Sequence, residues 1–91
     1  VGMAPLLQMI TLPICGIKID GSIIQELPHN PRAESLIRSL FLFCQSSDLT
    51  VTCEYVTTIE LWQQLRAIAY DFPYLTVFVQ GAAVGATEPT Q

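Results

Sequence analysis

Apolar residues between positions 14 and 80 recur with two different periods. Over about 31–44 and 58–72 they return every three or four positions, which is the spacing of one face of an α-helix. The other faces of the first segment carry the polar residues Arg32, Glu34, Ser35, Arg38 and Ser39, and Trp62 lies beside the stripe of the second. The pattern predicts two amphipathic helices whose core-facing stripes are Ala33, Leu36, Ile37, Leu40, Phe41 and Cys44 in the first, and Leu61, Leu65, Ile68, Ala69 and Phe72 in the second.

The intervening segments follow the patterns of β-strands. Residues 49–56 alternate well and predict a strand with one face on a core, with Leu49, Val51, Cys53 and Tyr55 on that face and Thr50, Thr52 and Glu54 on the other. Residues 74–79 are apolar on both faces, which predicts an interior strand. An Asp20-Gly21 pair separates two further apolar runs and predicts a tight hairpin with strands at about 14–19 and 22–27.

Local signals predict where the helices begin and end. Asn30 followed by Pro31 is typical of an N-cap and a first helical residue. Thr57 and Glu60 have the spacing of a capping box before the second helix, and Pro73 would stop that helix.

These elements predict an α+β fold, a two-layer ββαβαβ module with two helices on one face of a mixed sheet. Right-handed crossovers would set the strands at 49–56 and 74–79 parallel to a neighbour. We expect residues 1–13 to form an apolar arm, residues 14–80 a single domain and residues 81–91 a flexible tail.

Composition indicates association with other protein subunits as a homo- or hetero-oligomer. Half of the chain is apolar (51%) and 13% is charged, which leaves few charges to cover the surface of a small domain. The chain has four Lys and Arg residues and a net charge of −4, which argues against direct binding to nucleic acid or to a membrane surface.

Cysteine and histidine supply few candidates for chemistry. Cys15, Cys44 and Cys53 are odd in number and form no CxxC pair, which indicates reduced thiols in a reducing compartment such as the cytoplasm. His29, the single histidine, could form a nucleophile–base pair with Cys44 or Cys53. Its Pro-rich surroundings favour an exposed turn instead.

The other candidates favour structural roles. The carboxylates are dispersed along the chain and form no close pair for acid–base or metal chemistry. Gly81 and Gly85 follow a strand but lack the rest of a phosphate-loop motif. Some aromatic residues could stack bases, but the chain has too few basic residues for a nucleic-acid surface. The carboxylates are Asp20, Glu26, Glu34, Asp48, Glu54, Glu60, Asp71 and Glu88, and the aromatic residues are Trp62, Phe41, Phe43 and Tyr74. We therefore predict no catalytic, cofactor-binding or metal-binding residue and no cofactor.

About half of the chain resembles picornavirus-like coat proteins, and it is most similar to the small coat protein of the comovirus group. The resemblance rests on the Asp20-Gly21 turn, the His29-Asn30-Pro31 break, the apolar segment 36–43 and the alternating segment 47–52. It implies part of a β jelly roll as an alternative fold. A terminal Gln91 and a start at Val1 are similar to the products of viral polyprotein processing.

Three classes of function follow. The first is a non-catalytic structural or assembly module, such as a processed piece of a viral coat protein, located in the cytoplasm or in a virion. The second is a small regulatory or ligand-binding α/β domain of a larger protein. The third is an enzyme that uses Cys44 or Cys53, which would need a thiol of depressed pKa. The absence of a recognisable motif favours the first class, so we predict that the chain is not an enzyme.

Overall fold

The computed structural model of the chain describes residues 16–82 and 85–89. The predicted arm at 1–13 and Cys15 lie outside the described residues. The described elements are strands and helices in the order β1 Gly16–Ile19, α1 Gly21–Ile24, α2 Pro31–Ser46, β2 Thr50–Cys53, α3 Ile59–Tyr70, β3 Val77–Gly81 and β4 Gly85–Pro89.

The four strands form one mixed sheet in the order β1-β2-β3-β4. β1 pairs with β2 and β2 with β3 in parallel, whereas β4 pairs with β3 in antiparallel orientation. The predicted α+β class and the parallel arrangement of the second and third strands are confirmed. A jelly roll is an antiparallel fold, so the parallel core of this sheet contradicts that alternative.

Both long helices pack against one face of the sheet. Each connects two parallel neighbours, and a right-handed crossover puts successive helices on the same side. Ile19, Val51 and Val79 turn toward the helices and are buried with Phe41 and Leu65 in a single core. The rings of Phe41 in α2 and Phe72, just after α3, meet edge to face with centroids 5.7 Å apart, which joins the two helices. No helix in the described part of the chain has the length and apolar character needed to cross a membrane.

The predicted hairpin at Asp20-Gly21 is wrong. Asp20 is extended, with φ −61° and ψ 148°, and its carboxylate accepts a hydrogen bond from the Ser22 amide at 3.0 Å, so it caps the one-turn helix α1. Gly21 lies inside that helix and is not among the residues with positive φ. An Asp-Gly pair serves a helix N-terminus as well as a turn, and the parallel pairing of β1 with β2 leaves no place for a second hairpin strand.

The cap of α2 is confirmed, and that of α3 is displaced by one residue. The Asn30 side chain accepts from the Arg32 amide at 3.0 Å, and Pro31 is the first residue of α2. In α3 the N-cap is Thr58 rather than Thr57, and its hydroxyl accepts from the Leu61 amide at 3.1 Å.

Two residues predicted to face the core are exposed. Leu36 is 40% exposed because it lies at the margin of the α2 stripe. Tyr55 is 64% exposed because β2 ends at Cys53 and the backbone at Tyr55 turns to φ 58°, which breaks the alternation of the strand. β4 lies within the segment predicted to be a tail, and the division of the chain into arm, domain and tail stays a prediction.

Candidate functional site

The structure separates the histidine from the cysteines by burial. His29 is exposed in the turn before α2, whereas Cys44 and Cys53 are buried. Burial raises the pKa of Cys44 to about 11 and that of Cys53 to about 12. A nucleophilic thiol needs a depressed pKa, so neither thiol suits covalent catalysis.

Several carboxylates have structural partners. Arg38 in α2 donates to Glu34 at 2.9 Å and to Asp71 at 2.8 Å, which links α2 to the residue that follows α3. Asp20 caps α1, and the hydrogen bonds from Ser22 lower the pKa of its carboxyl. Among the described residues, no group of three or more His, Cys, Asp and Glu side chains is arranged to hold a metal ion.

The aromatic residues considered above for base stacking also differ in how deeply they are buried. Phe41 is fully buried, and Phe43 and Trp62 are half-buried against the core. The Arg66 guanidinium lies 5.3 Å from the centroid of the Trp62 ring. Tyr74 is 90% exposed and lies between α3 and β3. These aromatic residues therefore do not converge on one surface.

The face of the sheet opposite the helices carries the polar residues of the strands. The pairing register places Lys18, Thr52 and Phe78 side by side across β1, β2 and β3. Their neighbours Val51 and Cys53 are buried on the helix side, so the period of two puts this row on the other face. Lys18 is exposed, and Thr52 and Phe78 are half-buried.

The same alternation continues to the carboxyl ends of the parallel strands. Glu54 follows β2, and its amide donates to the Ile19 carbonyl at 3.2 Å, which extends the ladder by one residue. Gln80 is the corresponding position in β3. Glu54, Tyr55, Gln80 and Gly81 line an open pocket of about 200 Å³. We call this pocket, together with Lys18 one layer below it on the same face of the sheet, the strand-end site.

Tyr55 has an unusual backbone in the strand-end site. Its φ of 58° is in the left-handed region, which an aromatic residue rarely adopts. The Gln25 side-chain amide donates to the Tyr55 carbonyl. A Cβ atom placed on Gly21 would lie 2.3 Å from Cδ2 of the Tyr55 ring, so the absence of a side chain at Gly21 makes room for that ring.

The far side of the site is fixed by contact between two backbone segments. The Val56 amide donates to the Gln80 carbonyl at 2.8 Å, which ties the loop after β2 to the end of β3. Gly81 has φ +151°, and a Cβ there would meet Val56 backbone atoms at 2.3–2.7 Å. Glu54 and Gln80 are therefore held on adjacent strands by main-chain packing.

The groups of the strand-end site suit a phosphorylated ligand. A lysine ammonium binds phosphate as a point charge, a carboxylate accepts protons or binds cations, and an amide both donates and accepts hydrogen bonds. In sheets of parallel strands joined by helices, ligands bind at the carboxyl ends of the strands.

Sequence reasoning missed this grouping because it assigned Lys18 to a hairpin and did not relate the polar face of the strand that carries Glu54 to Lys18. Period-two alternation, combined with the predicted parallel crossovers, is the signal that could have placed both residues on one face.

Comparison with known proteins identifies the family. The sequence model of the EAL domain family matches residues 1–84 of this chain. The oxygen sensor protein DosP of Escherichia coli (strain K12) is 34% identical over 67 residues, which cover 74% of this chain and 8% of DosP. The chain thus spans less than a tenth of the length of that relative.

These matches correct several expectations from the sequence. The resemblance to viral coat proteins is wrong, and with it the capsid, virion and polyprotein-processing assignments. The predicted non-catalytic structural module is also wrong, since EAL domains are typically cyclic di-GMP phosphodiesterases. The coat-protein resemblance depended on a hairpin that the structure replaces with a capped helix. The three parallel strands with helices on one face have the arrangement found in a (β/α)-barrel. Together with the match to the EAL domain over residues 1–84, they show that this chain belongs to the EAL domain family.

Proposed function

We propose that this chain forms part of the active-site rim of a cyclic di-GMP phosphodiesterase domain, within a larger signalling protein. The observation that carries the proposal is the pairing of Glu54 and Gln80 in one pocket at the carboxyl ends of β2 and β3, with Lys18 one layer below them on the same face of the sheet. Membership of the EAL family supports the reaction class, because EAL domains typically hydrolyse cyclic di-GMP.

The open face of the sheet supports a place in a larger barrel. Parallel sheets are normally covered on both faces, and here the helices cover one. In a (β/α)-barrel the other face is the barrel interior, and the carboxyl ends of its strands form the active-site rim. The row Lys18, Thr52 and Phe78 would then face the interior, with Glu54 and Gln80 one layer higher at the rim.

The groups at this rim have distinct tasks in phosphodiester hydrolysis. Water attacks phosphorus and loses a proton, the bond from phosphorus to the leaving ribose oxygen breaks, and that oxygen takes up a proton and leaves as a hydroxyl group. The Lys18 ammonium offsets the charge of the phosphodiester and of its transition state. The Glu54 carboxylate is the group in the described pocket that can accept a proton. The Gln80 side chain can orient the ligand through hydrogen bonds.

The second class of function predicted from the sequence, a regulatory or ligand-binding domain of a larger protein, is compatible with this proposal. The matched relative is named as an oxygen sensor, and the chain covers 8% of it. Association with other protein subunits stays a prediction.

The test compares two glutamate variants of the protein that contains this chain. Glu54→Gln removes the rim carboxylate, whereas Glu60→Gln removes an exposed carboxylate in the first turn of α3. Hydrolysis of cyclic di-GMP is followed by chromatography of the linear product. We expect kcat/KM to fall at least about 100-fold for Glu54→Gln, the usual contribution of acid–base catalysis, and to stay within about 2-fold for Glu60→Gln.

Two results would contradict the proposal. One is a wild-type protein that does not hydrolyse cyclic di-GMP. The other is an equal loss of activity in the two glutamate variants, which would place the catalytic groups away from the strand-end site. The same comparison tests the phosphate contact of Lys18. Lys18→Gln should lower kcat/KM, whereas Arg32→Gln, at another exposed cation, should leave it nearly unchanged.

A further inference from the structure

We infer that Tyr55 is a substrate-contacting, specificity-determining residue that stacks on a nucleobase of the ligand at the strand-end site. The inference rests on the proposed function, because it assumes a nucleotide ligand at that site. Tyr55 lines the same pocket as Glu54 and Gln80, and it is 64% exposed. An aromatic ring in this place can offer a face to a planar ligand.

The ring is supported by the protein on one side. The space that a Cβ of Gly21 would fill is occupied by Tyr55 atoms, with Cβ and Cγ at 2.8 Å and Cδ2 at 2.3 Å from that position. Gly21 is buried and belongs to α1, directly after β1. Tyr55 therefore packs across the ends of β1 and β2 and leaves most of its surface toward solvent.

The backbone of Tyr55 is held in a strained conformation. A φ of 58° is unfavourable for an aromatic residue, and glycine adopts it without steric cost. The Gln25 side chain binds the Tyr55 carbonyl, and the Val56 amide of the next residue binds the Gln80 carbonyl. Strained residues that their surroundings hold in place concentrate at ligand sites. Glycine would adopt this backbone conformation at a lower free-energy cost than tyrosine. The presence of Tyr55 therefore indicates a role for its side chain.

Stacking accounts for recognition in a site with little positive charge. The chain has four Lys and Arg residues, and Lys18 is the one assigned to the strand-end site. Base–aromatic stacking supplies affinity without further charges, and each such contact typically contributes a factor of about 5 to 150 in binding. The Gln80 amide in the same pocket can bind the polar edge of the stacked base.

The experiment uses the protein that contains this chain, with cyclic di-GMP as the probe. Binding is measured by equilibrium titration and hydrolysis by initial rates, for wild type, Tyr55→Phe, Tyr55→Leu and Tyr55→Gly. Tyr74→Leu is the matched control, because Tyr74 is 90% exposed and does not line the pocket. We expect Tyr55→Leu and Tyr55→Gly to weaken binding about 10-fold or more, and Tyr55→Phe and Tyr74→Leu to stay within about 2-fold of wild type.

Thermal unfolding of the same variants separates ligand contact from support of the fold. Tyr55→Gly relieves the left-handed strain, so we expect a melting temperature at least equal to that of wild type together with weaker binding. If the melting temperature falls together with the affinity in both Tyr55→Leu and Tyr55→Gly, the ring only supports the fold, and the inference is overturned.

The outcomes also distinguish this inference from the proposed function. In one outcome the wild-type protein hydrolyses cyclic di-GMP and Tyr55→Leu has unchanged binding and kinetics. This outcome would overturn the stacking role and leave the phosphodiesterase proposal intact. Binding without hydrolysis, weakened in Tyr55→Leu, would support the stacking role and contradict the phosphodiesterase proposal. A wild-type protein that neither binds nor hydrolyses cyclic di-GMP would overturn both.

Discussion

Gly81 lies directly against the backbone of Val56, so closely that a Cβ on Gly81 would come within 2.3 Å of the Val56 carbonyl oxygen. The Val56 amide and the Gln80 carbonyl are hydrogen-bonded at 2.8 Å in the same contact. This contact sets the separation of the loop after β2 from the end of β3, and it thereby fixes the pocket between Glu54 and Gln80.

Gly81→Ala should destabilise the domain by about 2–4 kcal/mol, because the new methyl group meets backbone atoms and the φ of +151° disfavours a side chain. Urea unfolding of the EAL domain measures the change in the free energy of unfolding. The exposed neighbour Ala82→Ser is the control and should change it by less than about 0.5 kcal/mol. Equal stability of the two variants would mean that Gly81 and Val56 are not in contact.

Leu40→Ala and Leu65→Ala should each destabilise the domain by about 2–4 kcal/mol, because both side chains are buried and their removal leaves a cavity. Leu42→Ala makes the same chemical change in α2 at a position that is 55% exposed, and it should cost less than about 1 kcal/mol. Unfolding in urea again gives the comparison. A cost for Leu42→Ala as large as that for Leu40→Ala would show that the assigned face of α2 is wrong.

The buried thiols should make the domain sensitive to alkali. Burial raises the pKa of Cys53 from 9.0 to about 12 and that of Cys44 from 9.0 to about 11. An unfolded thiol ionises first, so stability is retained below about pH 9 and is lost as the pH rises through the folded pKa values. The free energy of unfolding should therefore decline above about pH 9, and the decline should be smaller in Cys53→Val.

The control for the alkaline effect is the dependence of the free energy of unfolding on pH between pH 6 and 8. Its slope should be the same in wild type and Cys53→Val, because both thiols are protonated in this range. Rapid alkylation of Cys53 in the folded protein at pH 7.5 would contradict its burial. Cys15 lies outside the described residues, so the labelled cysteine must be identified by mass spectrometry.

The sequence alone was sufficient for the elements with strong periodicity. The stripe Ile37, Phe41 and Cys44 and the cap at Asn30 predicted α2, because a helix is specified by contacts three and four residues apart. Alternation at Val51 and Cys53 predicted β2 for a similarly local reason. The α+β class, and the parallel orientation of β2 and β3 to a neighbouring strand, followed from these elements and from the handedness of crossovers.

Tertiary structure decided what local signals left ambiguous. Asp20-Gly21 suits a hairpin and a helix N-terminus equally well, and the parallel pairing of β1 with β2 selected the helix. The exposure of Tyr55 depends on a left-handed φ that its hydrogen-bonded surroundings maintain, and no local pattern predicts such a conformation. Glu54 and Gln80 are 26 residues apart along the chain, and they lie side by side because in-register parallel pairing aligns the ends of β2 and β3. Lys18, which is 36 residues before Glu54, lies one layer below them on the same face for the same reason. Side-chain chemistry is encoded locally, whereas the convergence that makes a site arises from pairing between distant strands.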